Sequence, residues 1–185
     1  LKEYFGEIES YCRTRGDGVG FIEYEGKKLS SKFGFLTDST FFSFFDFPIV
    51  KGQRSNLLQS PTGAVISERL SSQLFGNDDP IGKTIKMENV DMQVVAVMKN
   101  IPHNTYFADA DFICPFTSNI SPYHLEALDE MGYGGEYMSF LRFNHNADTD
   151  NVSEKFTKEA QSLDDSIISI WFQPIKDMHL YDVNG

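Results

Sequence analysis

Cysteine, basic residues and long apolar runs are all scarce in this chain, and each shortage narrows what it can be. Of 185 residues two are cysteine, Cys12 and Cys114. They lie far apart and match no metal or redox spacing, so they do not reveal the compartment, and a disulfide between them is left open without support. Lysine and arginine number 16 against 27 aspartate and glutamate, leaving a net charge of -11 and an isoelectric point near 4.7. Repulsion of that sign opposes encounter with phosphate backbones and anionic lipid, so nucleic acid is not an expected partner. The longest apolar-rich runs, Phe41 to Val50 and Met92 to Met98, fall short of the roughly twenty residues that span a bilayer. An initiator methionine and a signal-peptide pattern are also missing at Leu1, and the chain reads as an excerpt from a longer protein.

What is present supports a folded domain. At 41% apolar and 14% aromatic residues, the chain can bury a core as one domain or two small lobes. Leu1, Phe5, Ile8 and Cys12 recur at helical spacing and predict an N-terminal helix. Val19 to Tyr24 and Leu29 to Leu36 predict two strands around a Glu25-Gly26-Lys27 hairpin turn. Asp38-Ser39-Thr40 is placed to cap a short helix through Phe45, whose many phenylalanines require burial on more than one side. Pro48 ends that helix, and an exposed polar loop runs from Gly52 to Pro61.

Further along, Ala64 to Ile66 predicts a buried strand that leads into a helix over Ser67 to Phe75. Lys83 to Met87 predicts a strand, Asn89-Val90-Asp91 a tight turn, and Met92 to Lys99 a central strand that is apolar on both faces. Asp109 to Phe116 reads as another strand, Ser121 to Glu130 as a helix and Gly132 to Gly135 as a break. The last third reads β-α-β: a strand over Tyr137 to Phe143, a helix over Asp150 to Leu163 and a closing strand over Ile167 to Ile175. In that helix Val152, Phe156, Ala160 and Leu163 share a face, and Glu154 and Lys158 pair opposite them. This order predicts an α+β fold, with helices on one side of an open sheet and a second, strand-rich lobe in the middle of the chain.

Four patterns invite a chemical reading. Phe75 to Ile85, FGNDDPIGKTI, carries Gly82-Lys83-Thr84 like a phosphate loop. But the glycine spacing is one residue too long, and a helix precedes the turn where a strand should. The expected role is a turn in which Pro80 fixes one angle, Gly82 allows a tight bend and Asp78 or Asp79 caps it. Ser67 follows a strand and opens a helix, but Val65 and Arg69 stand where a nucleophile elbow needs glycine, so Ser67 reads as an N-cap. Asp109 and Asp111 are two apart and could share a strand face, although a third ligand is lacking and solvated carboxylates are the simpler reading. His103, His124, His145 and His179 have no ligand spacing and read as surface residues. The Phe41 to Phe47 cluster reads as core because so large an apolar patch seldom faces water. No constellation for catalysis emerges, and a small hydrolase built on the two aspartates ranks last among the functional readings.

Several motifs agree in order and spacing with a known family. They are Asp38-Ser39-Thr40-Phe41-Phe42 with Phe45-Asp46-Phe47-Pro48 and Gly52, Ala64 to Glu68, and Leu74-Phe75-Gly76 with Asp79 to Lys83 and Ile85. Val94 to Val97, Ile101-Pro102 with Asn104-Thr105, Ala108-Asp109, and Pro174-Ile175 with Asp177 and His179-Leu180 follow. Nearly the whole chain thus resembles the extracytoplasmic (periplasmic) core domain of MacB/FtsX-type ABC transporter permeases.

The resemblance implies a porter-like α+β lobe of β-α-β units, drawn from about residues 1–20, 60–80 and 110–185, with a smaller inserted β-rich lobe. It implies a domain outside the cytoplasmic membrane with no catalytic, cofactor-binding or metal-binding residues. The domain would carry ATP-driven movement across the membrane to export cargo or act on a periplasmic partner. The implied partners are a cytoplasmic ABC ATPase domain or subunit, a second permease protomer, and a periplasmic adaptor or membrane fusion protein. The alternative is an extracytoplasmic solute-binding or sensor module, which would need a pocket with converging polar groups.

Overall fold

The computed structural model describes residues 5–120, 137–163 and 166–178. Its first feature is a long hairpin. Strand β1, Ile8–Tyr24, pairs antiparallel with β2, Lys27–Thr37, in one register from Tyr24↔Lys27 to Thr14↔Thr37. The two-residue turn places Glu25 at φ 47° and Gly26 at φ 79°, the left-handed pair that matches the twist of the flanking strands. The predicted hairpin is therefore present, and longer at both ends. The predicted N-terminal helix is replaced by β1 from Ile8 onward, and Leu1 to Tyr4 lie outside the described residues. Ile8 and Cys12 are both buried, but a spacing of four residues satisfies a strand as well as a helix, and ladder bonds decide between them.

Helix α1, Phe41–Phe44, follows. Thr40 occupies its N-cap without a side-chain cap bond, and Asp38 is engaged elsewhere: its carboxylate accepts from the Arg13 backbone N–H at 2.8 Å and from its guanidinium at 2.9 and 3.1 Å. Strand β3, Ile49–Gly52, has no counterpart in the sequence reading; it pairs antiparallel with β6. The loop beyond it is exposed as expected, except that Leu57 and Leu58 are buried anchors. Strand β4, Gly63–Ser67, is buried throughout and leads into α2, Glu68–Phe75. Strand β5, Thr84–Met87, and β6, Val90–Met98, form a second hairpin whose turn is Glu88-Asn89, one residue earlier than predicted. Strand β7 is confined to Phe112–Pro115.

Strand order closes on itself. The path runs β2-β7-β4-β6-β5-β1, and β1 also pairs with β2, so six strands make a continuous ring of ladders. The ring mixes parallel pairs, β2 with β7 and β4 with β6, with antiparallel ones. β6 is central as predicted, with β4, β5 and β3 as neighbours. The core includes Ile22, Ile66, Leu70, Ile85, Met92, Val94 and Phe112, all inaccessible to solvent. At Gly34 the strands approach so closely that a Cβ would lie 2.2 Å from the Phe112 carbonyl oxygen.

The chain divides into two compact units, Cys12–Ser139 and Leu1–Tyr11 with Phe140–Gly185. In the second, β8, Met138–Phe143, pairs with β1, and the Asn144 N–H donates to the Glu7 carbonyl at 2.9 Å. Helix α3, Thr149–Leu163, packs Val152 against Phe5 and Ile8, with Phe5 stacked on Phe156 at 4.1 Å. Ala160 is buried, but Leu163 is 70% exposed, a correction to the predicted apolar face. Among the described residues it is Lys155, and not Lys158, that forms a salt bridge from this helix, 2.9 Å from Glu7, and its hydrogen bond holds the Glu7 carboxyl below its usual pKa. The predicted closing strand does not form: 167–174 has no ladder and ends in a 3₁₀ turn, Ile175–Asp177. Side chains of α3 hold it instead. The Ile170 N–H donates to Thr157 Oγ1 at 2.9 Å, Ser153 Oγ donates to the Ile170 carbonyl, and Gln161 Nε2 reaches the Ile167 and Ile168 carbonyls at 3.0 and 3.1 Å. The helix and break predicted over Ser121 to Gly135 lie outside the described residues.

Candidate functional site

The turn that resembles a phosphate loop turns its backbone donors inward. The Gly82 N–H donates to the Val94 carbonyl at 2.8 Å, the Lys83 N–H to Pro80 at 3.1 Å, and the Val94 N–H to the Lys83 carbonyl at 2.9 Å. Asp79 Oδ1 accepts from the Ile81 N–H at 3.4 Å. These bonds join the turn to β6, and Lys83 is exposed. A phosphate cradle needs the same N–H groups free and convergent.

Ser67 is the N-cap of α2, its Oγ accepting from the Leu70 N–H at 3.1 Å, as the sequence predicts. The residues after it carry a network of polar contacts. The Arg69 N–H donates to Asn100 Oδ1 at 2.9 Å, and the Asn100 N–H to Glu68 Oε2 at 3.3 Å. The Arg69 guanidinium then spans both aspartates. Nε lies 3.1 Å from Asp111 Oδ1, Nη1 3.3 Å from Asp109 Oδ1, and Nη2 2.7 Å from the Asp109 carbonyl oxygen. Burial works against the Arg69 charge, but Asp111 and Asp109 outweigh it and raise its pKa.

Both aspartates are thus held by one arginine, Asp109 as an exposed carboxylate and Asp111 as a buried one. Asp109 sits outside the strand at φ 62°, so the two do not share a strand face, and Asp111 is 6% exposed. The Asp111 backbone completes the junction, its N–H donating to Phe33 at 2.7 Å and its carbonyl accepting from Ser67 at 2.8 Å. Sequence reasoning misses Arg69, which lies 40 and 42 residues from the two acids, and no local signal in the sequence joins them. His103 approaches Asp109 at 3.4 Å while 85% exposed, and His145 is also exposed. His124 and His179 lie outside the described residues.

The same clamp holds the loop that delivers Phe107. Its ring contacts Phe35, Phe41, Phe45, Phe47 and Tyr106, with centroids 4.9 to 5.7 Å away. Phe41, Phe42 and Phe107 are buried, so the cluster is core as predicted. Arg54, in the loop read as merely polar, closes it from outside. Its guanidinium donates to the carbonyls of Phe42 at 2.9 Å, Phe45 at 3.3 Å and Phe47 at 2.6 Å, satisfying acceptors left open at the end of α1. Cys12 and Cys114 are free and buried. Burial and then the Asp38 charge push the Cys12 thiol up to about 12, and burial raises Cys114 as well, so both stay protonated and unreactive. Among the described residues no group of three ligating side chains could hold a metal, and no helix is long and apolar enough to cross a membrane.

A mixed α+β module whose charged groups staple its own loops defines a structural class before it defines a protein. Residues 8–159 match the family described as the MacB-like periplasmic core domain, and the chain belongs to that family, the periplasmic domain of MacB-like ABC transporter permeases. A domain of a protein assigned as a permease from Porphyromonas gingivalis is similar in structure, with a TM-score of 0.72 at 18% identity, covering 91% of this chain and 76% of the other. The periplasmic region of MacB from Actinobacillus actinomycetemcomitans gives 0.67 at 15% identity, covering 95% and 76%. The extracellular domain of the noncanonic ABC-type transporter YknZ from Gram-positive bacteria gives 0.60 at 11%, covering 85% and 76%. At these identities the likeness is one of fold. No curated protein sequence matches the chain significantly.

Proposed function

We propose that this domain is a non-catalytic transmitter: movement driven by ATP hydrolysis in a cytoplasmic ATPase domain or subunit reaches it through the membrane, and it acts outside on cargo or on a periplasmic adaptor. A second permease protomer would work beside it. The observation that carries the reading is the family match over 8–159. The ring of ladders supports it, because a body that transmits displacement must move as a unit between two arrangements. The clamp at Arg69 and the closure at Arg54 serve the same end by fixing the loops to that body.

The test uses the intact permease with its ATPase. Replacing the domain by a short linker is expected to leave basal ATP hydrolysis in place and abolish export. Export that persists without the domain would overturn the proposal, as would ATP binding by the isolated domain that Lys83→Ala removes.

A further inference from the structure

Strand β1 meets β5 only near its end, at Ile22↔Met87 and Glu23↔Lys86. On the same side β8, six residues long, joins β1 from the Ile8 end, where the Asn144 N–H donates to the Glu7 carbonyl. Counted from Ile8, six residues end at Arg13. Just short of β5 the Gly20 N–H is taken by the Glu88 side chain and not by a strand. The β1–β2 register fixes which groups face this stretch of edge. The Asp38 N–H donates to the Arg13 carbonyl, so Arg13, and with it Arg15, Asp17 and Val19, turn their backbone groups toward β2. In an antiparallel ladder the residues between them turn theirs the other way. Gly16 and Gly18 therefore present N–H and C=O groups at an edge that has no strand partner among the described residues.

The same stretch carries a charge without a partner. Across the ladder Asp17 faces Gly34, which has no side chain to meet it, and Asp17 Oδ2 is shut off from solvent with no hydrogen-bond partner among the described residues. A buried carboxylate oxygen left in that state favours the arrival of a cation. The opposite face has room for bulk. A Cβ at Gly18 would meet only the Lys32 carbonyl oxygen, at 3.8 Å, whereas at Gly16 the Phe33 ring stands 3.0 Å away and at Gly20 the Glu88 carboxylate 2.8 Å. Phe33 is itself 43% exposed. We infer that this edge takes an extended segment of a partner protein by antiparallel strand addition, and that the segment reads apolar, basic, apolar. Its basic residue lies opposite Asp17 in a non-hydrogen-bonded pair, with Cα atoms about 4.5 Å apart, and supplies the missing cation. Its two neighbours exchange backbone hydrogen bonds with Gly16 and Gly18 and project over the open face, one of them against Phe33. The net charge of -11 draws a basic segment toward the chain. The inference rests on the reading of a domain that acts on an outside partner only for there being such a partner; an edge that binds nothing would leave the transmission of movement standing.

The test adds a capped peptide, Thr-Thr-Val-Lys-Val-Thr-Thr, to the full chain of 185 residues. The chain is expected to bind it at least about tenfold more tightly than the same peptide with glutamate in place of lysine. Hydrogen exchange at the Gly16 and Gly18 amides is expected to slow as the lysine peptide binds. Asp17→Asn, which removes an unpaired charge, is expected to abolish the preference for lysine while both amides are still protected. Gly18→Val, which fills the open face, is expected to weaken both peptides alike. Equal affinity of the native chain for the two peptides, binding that leaves exchange at Gly16 and Gly18 unchanged, or no binding up to millimolar peptide would overturn the inference.

Discussion

The two compact units answer the same problem, pairing every backbone group, in opposite ways. In Cys12–Ser139 the strands satisfy one another around a closed ring, and side chains such as Arg69 and Arg54 are left to secure the loops. In the unit built from Leu1–Tyr11 and Phe140–Gly185 the closing run depends on Thr157, Ser153 and Gln161, hydroxyls and an amide reaching out from one helix. A ring spreads its stability over many ladders that form together, whereas a run held by a few side-chain bonds opens locally at low cost.

The strongest way to break the contrast is to hollow the first unit. Phe107→Ala removes the ring around which the other aromatics pack, and the expected loss is about 3–5 kcal/mol in urea denaturation. Because the ring of strands unfolds as one body, the whole of that unit should lose protection together.

Next in size is Arg69→Ala, which strands the Asp111 carboxylate at 6% exposure. Removing one member of a fully buried pair costs roughly 3–5 kcal/mol, and partial exposure of Arg69 lowers the expected cost to about 2 kcal/mol. Arg69→Lys should recover only part of it, since an ammonium cannot span two aspartates as the guanidinium fork does. Equal stabilities of the lysine and arginine proteins in urea would reduce the clamp to simple charge balance.

The smallest effect should come from Thr157→Val, which deletes the hydroxyl bound by the Ile170 N–H. The expected cost is about 1 kcal/mol, and hydrogen exchange should accelerate at Ile170 while the amides of β4 and β6 keep their protection. Parallel loss of protection in both units would erase the distinction between them.

The parts of the fold that the sequence made legible are those governed by neighbours along the chain. The β1–β2 turn is specified by Glu25-Gly26, the α2 start by Ser67, and the α2 end by Gly76, which takes φ 62° at the C-cap. The misreadings fall where two periods coincide or where the partner is distant. Ile8 and Cys12 fit helix and strand equally, and Ile167 to Ile175 has strand composition without a ladder. The site was legible only in pieces, because Arg69, Asn100, Asp109 and Asp111 are separated by up to 42 residues and no local rule connects them.

By itself the sequence determined the α+β class, the hairpin turns, the cap of α2, the acidic character and, through its ordered motifs, the family, because each depends on residue type and short-range spacing. Only the tertiary structure decided that the strands close into a ring, that Asp109 and Asp111 are held by one arginine, and that side chains of α3 hold the apolar run that follows it. Those outcomes depend on which residues meet across long chain separations, where burial and charge pairing, and not propensity, determine the free energy.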